Sequence, residues 1–266
     1  MSASLQGLVV LVTGASKGIG RAVALRLASD GAYVVVSARS KKSVNETVDE
    51  IKGKGGIAHG LIVDATNPKS VNEAVENVVD RFGRIDVLVN NVGGAIRYGD
   101  FMELSNDDWQ QAFDLNVMST VNFVRAALPW IKKSGQPRII NISSISGVEP
   151  GISNPHYTTT KAATINLTKV LANSLAKEGV LVNAVCPGPV YSDAWVGNVK
   201  QLAASKGISE SAAYALLDAQ EKAKIPLGRI GGGEDVAGAV AYLISTDSSW
   251  ITGSCLHVSG GKMRST

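Results

Sequence analysis

"LVVLVTGASKGIG", residues 8–20, decides how this chain folds. Its first half is a short apolar run rich in valine, which reads as a strand covered on both faces. Its second half spaces Gly14, Gly18 and Gly20 as G-x-x-x-G-x-G ahead of a helical stretch. A turn of this kind lets the backbone come close to a pyrophosphate and aims the amides of a helix N-terminus at it. A plain strand-to-helix turn also favours glycine, so the loop gains its weight from the segments around it.

Those segments repeat one rhythm. "AYVVVSA" (32–38), "IAHGLIVD" (57–64), "DVLVNN" (86–91), "RIINISS" (138–144) and "VLVNAVCP" (180–187) are further strand candidates. Helical stretches at 18–30, 41–54, 68–82, about 106–133 and 155–178 separate them, and a helix near 234–246 and a strand at 254–258 complete the series. Strand and helix in strict alternation mean an α/β fold: a doubly wound sheet of about seven parallel strands flanked by helices. No linker or second period interrupts it, so residues 1–266 are expected to form a single domain. The Ala- and Lys-rich stretch at about 191–225 falls outside the rhythm. It follows the C-terminal end of a strand, where open α/β sheets bind ligands, and is expected to be a helical substrate lid.

Composition narrows the function classes. Hydrophobic residues make up 45% and charged ones 18%, enough to bury a large core, and a formal charge of +3 is spread along the chain. No basic block points to nucleic acid or to a membrane surface. Two cysteines, Cys186 and Cys255, make no disulfide framework and are expected to be buried thiols; no metal site is expected. "MSASLQG" has neither the basic nor the apolar part of a secretion signal, and no apolar run approaches the ~20 residues of a membrane span, so a soluble, cytoplasmic protein is expected.

"NPHYTTTKAA", residues 154–163, opens the helix at 155–178. Asn154 or Thr158 is expected to cap it, with Pro155 in its first turn. Tyr157 and Lys161 lie four residues apart and so share a face. They are either a solvated pair or an acid and the group that tunes it.

Five motifs then fall in register: "TGASKGIG", "NNVGG" (90–94), "NISS" (141–144), "YTTTK" (157–161) and "CPGPVYSD" (186–193). From residue 8 to about 261 the chain resembles the short-chain dehydrogenase/reductase family, which implies a Rossmann-type sheet. "IPLGRIG" (225–231) and "ITGSCLHVSGG" (251–261) are similar to its bacterial branch of 3-oxoacyl-carrier-protein reductases and of sugar, polyol and ketone reductases. The resemblance implies that Tyr157 is the general acid/base, Lys161 its partner, Ser144 the substrate-orienting hydroxyl and Asn116 the fourth member. The chemistry is consistent. Reducing a carbonyl needs a proton donor near neutral pKa, and a phenol at ~10 becomes one only if its phenolate is stabilised, as by a nearby ammonium. Ser143 should point to the opposite face of its strand from Ser144. A mid-helix asparagine at 116 also marks a kink.

The resemblance further implies a cofactor cradle. It comprises Gly14, Ser16, Lys17, Gly18, Ile19 and Gly20 of the loop, Asp64 and Ala65 at the adenine, and Asn91 beside Asn90. Tyr157 and Lys161 join Pro187, Gly188, Val190 and Ser192 at the nicotinamide end. Asp64 also suits a helix N-cap shared with Thr66. Val92, Ser192 and Ser259 depart mildly from the family pattern. His156 is expected to line the substrate pocket or lie at the surface, because helix neighbours point apart. After the second strand, Ser37, Ala38 and Arg39 stand where an NAD enzyme places an acid about 20 residues beyond the loop. With no carboxylate there, and with Arg39 and Lys17 offering positive charge, NADP(H) is the expected cofactor.

The expected protein is thus an NADP(H)-dependent oxidoreductase acting on a small-molecule carbonyl, a 3-oxoacyl thioester or a small ketone, in the direction of reduction. The alternatives are an NAD-dependent sugar, polyol or alcohol dehydrogenase and a non-catalytic nicotinamide sensor. Helices 106–133 and 155–178 carry more apolar residues than one face needs: Ala112, Phe113, Val121, Val124 and Leu128, then Leu167, Val170, Leu171 and Leu175. A homotetramer is expected on them.

Overall fold

Seven parallel strands alternate with helices in the order that the apolar runs set out. In the computed structural model, which describes residues 5–264, β1 (Val9–Thr13) lies mid-sheet with β2 (Tyr33–Ala38) on one side and β4 (Val87–Asn90) on the other. β3 (Ile57–Ile62), β5 (Arg138–Ile142), β6 (Leu181–Pro187) and β7 (Cys255–Val258) extend it, giving the order β3-β2-β1-β4-β5-β6-β7. The chain winds outward from β1 in both directions, so a crevice opens at the C-terminal ends of β1 and β4.

Both faces of the central strands are dry. α1 (Gly18–Ser29), α2 (Lys41–Gly53) and α9 (Gly233–Ile244) pack residues such as Val23, Leu27 and Val240 against Val12, Val36 and Ile140. On the other face α3 (Pro68–Phe82), α5 (Ser119–Ile131) and α6 (Pro155–Leu175) cover Leu11, Leu88 and Ile139. Each such aliphatic side chain, removed wholly from water, contributes about 1.5–3 kcal/mol. This is why the strands read as unbroken apolar runs and not as alternating ones.

Local signals set the helix ends. Asn67 accepts from the amides of Lys69 and Ser70 to cap α3, Pro68 follows in its first turn, and left-handed Gly83 ends it. The cap of α3 is therefore Asn67, not Asp64, which instead closes a turn by accepting from Thr66 N (3.0 Å) and Thr66 Oγ1 (2.7 Å). The helix expected at 106–133 is three pieces: α4 (Asn106–Phe113), a π-helical turn over Asp114–Met118, and α5. The extra residue in that turn places Asn116. The helix expected at 155–178 is α6 followed by a 3-10 turn at Ala176–Glu178. Neither Asn154 nor Thr158 caps α6 with its side chain: Asn154 stands before it with φ 55°, and its Oδ1 accepts from Gly99 N at 3.2 Å.

The 191–225 stretch is two helices, α7 (Asp193–Lys206) and α8 (Glu210–Lys222), packed on each other around Trp195, Val199, Ala203 and Ala213 with Leu202 and Leu217. Leu202 thus fills the helix pair, and Tyr214 stacks on Tyr191 and stays half-exposed. Among the described residues no helix is long and apolar enough to cross a membrane.

Candidate active site

The glycine loop packs against β4 with no room to spare. A side chain at Gly20 would meet Gly14 O at 2.3 Å and Asn91 Nδ2 at 2.4 Å, so only hydrogen fits there. Asn91 Nδ2 donates to the carbonyls of Thr13 (3.1 Å) and Gly14 (3.0 Å), and its own amide donates to Thr13 Oγ1 at 2.9 Å. Asn90 ties β4 to β5 instead, donating to Asn141 Oδ1 at 2.9 Å. α1 then starts with no side-chain cap and no acid in its first turn. A bare helix N-terminus beside a close-packed glycine turn suits a dinucleotide's pyrophosphate.

One cleft of about 1440 Å³ runs from this loop over the C-terminal ends of the strands. It is lined by Gly14, Ser16, Lys17, Gly18, Ile19, Arg39, Asp64, Ala65, Asn91, Ser144, Tyr157, Pro187, Gly188, Val190 and Ser192. Of the residues assigned above, Gly20, Asn116 and Lys161 lie just beneath it, all buried. At the end of the cleft beside β2 and β3, Arg39 faces Asp64, whose carboxyl is held below the ordinary range by the Thr66 hydroxyl and amide and, less strongly, by that guanidinium.

At the other end the residues that follow β5 and the start of α6 meet at one phenol. Ser144, just beyond β5, hydrogen-bonds the Tyr157 hydroxyl and accepts from Ser146 Oγ at 2.8 Å. Ser143 turns away, as expected, and donates to the Lys161 carbonyl at 2.8 Å. Lys161 Nζ donates to Ile142 O at 3.0 Å and lies 5.7 Å from the centre of the Tyr157 ring. The ammonium therefore lies over the ring while it is held by the Ile142 carbonyl. Burial holds the Lys161 pKa down at about 8 and pushes the Tyr157 hydroxyl above its usual value, with the Ser144 hydrogen bond opposing part of that rise. Burial thus dominates the shift of this phenol.

Asn116 reaches the site through the π-helical turn. Its Nδ2 donates to Ala112 O (2.9 Å) and Gly94 O (3.1 Å), and its Oδ1 accepts from Gly94 N at 2.8 Å. A side chain on Gly93 would meet Asn116 Oδ1 at 2.6 Å and Lys161 Nζ at 2.9 Å. The irregularity expected at Asn116 is present as a π-helical turn, and its amide holds the Gly94 backbone beside the lysine. His156 belongs elsewhere. It is neither pocket lining nor surface, but 1% exposed and packed edge-on to Trp109 at 6.2 Å.

A family model described as Enoyl-(Acyl carrier protein) reductase matches residues 14–262. The chain belongs to the short-chain dehydrogenase/reductase family. Among relatives of this family, the 3-oxoacyl-[acyl-carrier-protein] reductase of Aquifex aeolicus is 38% identical over 98% of this chain and 99% of its own. That of Staphylococcus aureus is 37% identical over 94% and 96%. The crystal structure of L-sorbose reductase from Gluconobacter frateurii, complexed with NADPH and L-sorbose, superposes with a TM-score of 0.93 at 31% identity over the full length of both chains. As a short-chain dehydrogenase/reductase the chain is an oxidoreductase that uses a nicotinamide cofactor and a small-molecule substrate.

Several lining residues escaped the sequence analysis. Ser40, Ser43, Gly93, Tyr98, Ser146, Glu149, Glu221, Lys224, Lys262 and Arg264 all face the cleft. Ser146 had a local signal, the third serine of "NISSIS". Glu149 and Arg264 had none: Arg264 N donates to Glu149 Oε1 at 2.8 Å across 115 residues of sequence.

Proposed function

We propose that the chain is an NADPH-dependent reductase of a compact, partly polar ketone, with Tyr157 as general acid. The observation that carries this is the Tyr157–Ser144 pair at one end of a cleft whose other end holds Lys17 and Arg39. Even with its pKa raised by burial, the phenol stays more acidic than the alcohol that forms, so it gives its proton as charge develops on the substrate oxygen. Ser144 orients that oxygen with its hydroxyl. Lys161, charged below about pH 8, holds the cofactor's ribose, and Asn116 fixes the loop beside it. Lys17, Arg39 and the uncapped start of α1 would bind the phosphates, and Pro187, Gly188, Val190 and Ser192 the nicotinamide end. NADPH in that cradle supplies the hydride.

The substrate end of the cleft mixes Tyr98, Trp195 and Leu217 with Glu149, Glu221, Lys224 and Lys262. That mixture supports a substrate with both hydrocarbon and hydrogen-bonding groups, such as a hydroxy ketone, ahead of a long acyl chain. α7 and α8 act as its lid. In the cytoplasm the enzyme would work as a homotetramer, for which α4 and α6 leave Phe113 and Val170 half-exposed.

Following NADPH oxidation with a ketose, a simple hydroxy ketone and a 3-oxoacyl thioester tests the reading. Turnover is expected to be fastest with the hydroxylated ketones. No oxidation with any carbonyl, despite cofactor binding, would leave the sensor alternative standing.

A further inference from the structure

β6 and β7 place three metal-binding side chains together at the edge of the sheet. In the parallel register Cys186 stands opposite His257, and Cys255 lies two residues before His257 on the same face of β7. The two sulfurs are 2.6 Å apart, and all three donor atoms lie within 4.8 Å of one another. His257 Nε2 is buried and accepts or donates no hydrogen bond. A buried imidazole nitrogen without a partner costs about 1–3 kcal/mol, so something of value should meet it. Two sulfurs in such contact do not rest as independent thiols: an ion shared between them or a covalent bond relieves the crowding. A disulfide would join the cysteines and leave the imidazole unexplained. An ion accounts for all three groups.

We propose that Cys186, Cys255 and His257 form a binding site for a thiophilic metal ion, zinc(II), where the sequence led us to expect no metal at all. Two thiolates and an imidazole are the soft and borderline donors this ion selects, and three protein ligands leave its fourth tetrahedral position for water. The sulfurs must open from their present contact to admit it. β7 is the edge strand and Cys255 is only partly buried, so that adjustment and the entry of the ion both fall on the open side. Cys186 directly precedes Pro187 and Gly188, which line the cleft, so an ion here ties the end of β6 to β7 under the nicotinamide end of the cradle. The site is separate from the phenol chemistry and does not depend on which ketone is reduced.

The test titrates zinc into full-length protein prepared metal-free under reductant, in competition with a chromophoric chelator. One zinc per chain is expected, with binding weakened by roughly tenfold or more in His257→Ala and in Cys255→Ala. Cobalt(II) added to the unmodified protein is expected to give thiolate charge-transfer absorption that Cys255→Ala lacks. The cobalt spectrum decides the matter even if a variant fails to fold. Absence of stoichiometric uptake, undiminished binding in a folded His257→Ala, or cobalt spectra without thiolate bands would each overturn the proposal. So would thiols that are missing in the metal-free protein and return only on reduction, which would mark a disulfide.

Discussion

Asn116 and Gly94 hold each other through both ends of one amide, Oδ1 accepting at 2.8 Å and Nδ2 donating at 3.1 Å. A side chain at the neighbouring Gly93 would strike both Asn116 and Lys161, so the loop, the π-helical turn and the lysine form one close-packed unit. Asn116→Ala strands the Gly94 amide and carbonyl and the Ala112 carbonyl. A loss of roughly 1–3 kcal/mol in denaturant stability is expected. Weaker cofactor binding should accompany it as the loop drifts. Unchanged stability in urea melts would mean that this clamp is idle.

Tyr157→Phe removes the hydroxyl proposed to protonate the substrate and leaves the Ser144 hydroxyl in place. The lost group acts when charge develops on the carbonyl oxygen, so kcat should drop by about 10²–10⁴-fold while NADPH affinity holds. Fluorescence titration of the cofactor beside steady-state rates separates the two effects. A variant that kept most of its turnover would assign the acid elsewhere.

Lys161 is expected to set the alkaline limb of the proposed reaction. Burial lowers its pKa from 10.5 to about 8, so in the free enzyme the ammonium is present below that pH and lost above it. kcat/KM for NADPH should therefore fall as pH rises through about 8, since it reports groups of the free enzyme. Folding stability moves the other way. Between about 8 and 10.5 the unfolded chain binds a proton that the folded one does not, so this group makes the fold more stable as pH rises across that window. A flat kcat/KM profile through pH 8 would sever the ammonium from cofactor binding.

How much of this was legible in the sequence depends on the range of the signal. The strands and the glycine loop were readable because β1 and its neighbours are buried on both faces, which forces unbroken apolar runs, and because Gly20 admits no side chain. The Tyr157–Lys161 pair was readable from helical spacing. The π-helical turn was not: one extra residue leaves the apolar pattern of 106–133 intact, and only the odd Asn116 hinted at it. The orientation of Lys161 toward Ile142 O, and with it the direction of the Tyr157 shift, required knowing what packs around them. The Cys186–Cys255–His257 cluster joins strands about 70 residues apart and left no local trace.

The assembly prediction rests on a smaller patch than the sequence implied. Ala112, Val124 and Leu175 are buried within the chain, and of the nine apolar residues counted for an interface the large exposed ones are Phe113 at 42% and Val170 at 51%. Light scattering is expected to give about four times the 27.7 kDa chain mass, and Val170→Glu should shift that toward smaller species. Chain mass alone at every concentration would rule the tetramer out.

The proposed preference for NADPH turns on Arg39. It lies exposed at the mouth of the cleft between Asp64 and the start of α2, where Ser40 and Ser43 also line the wall. β2 ends in Ser37 and Ala38, so no carboxylate from that strand meets a 2′-phosphate. A guanidinium there can grip the phosphate with two parallel hydrogen bonds, and Lys17 across the loop adds charge. Arg39→Leu should raise KM for NADPH by about 10-fold or more, the worth of 1.5–3 kcal/mol for a charged hydrogen bond, and leave KM for NADH nearly unchanged. Added salt should mimic part of the loss, because the pair is exposed to solvent. Equal kcat/KM for NADH and NADPH in the unmodified enzyme would refute the preference outright.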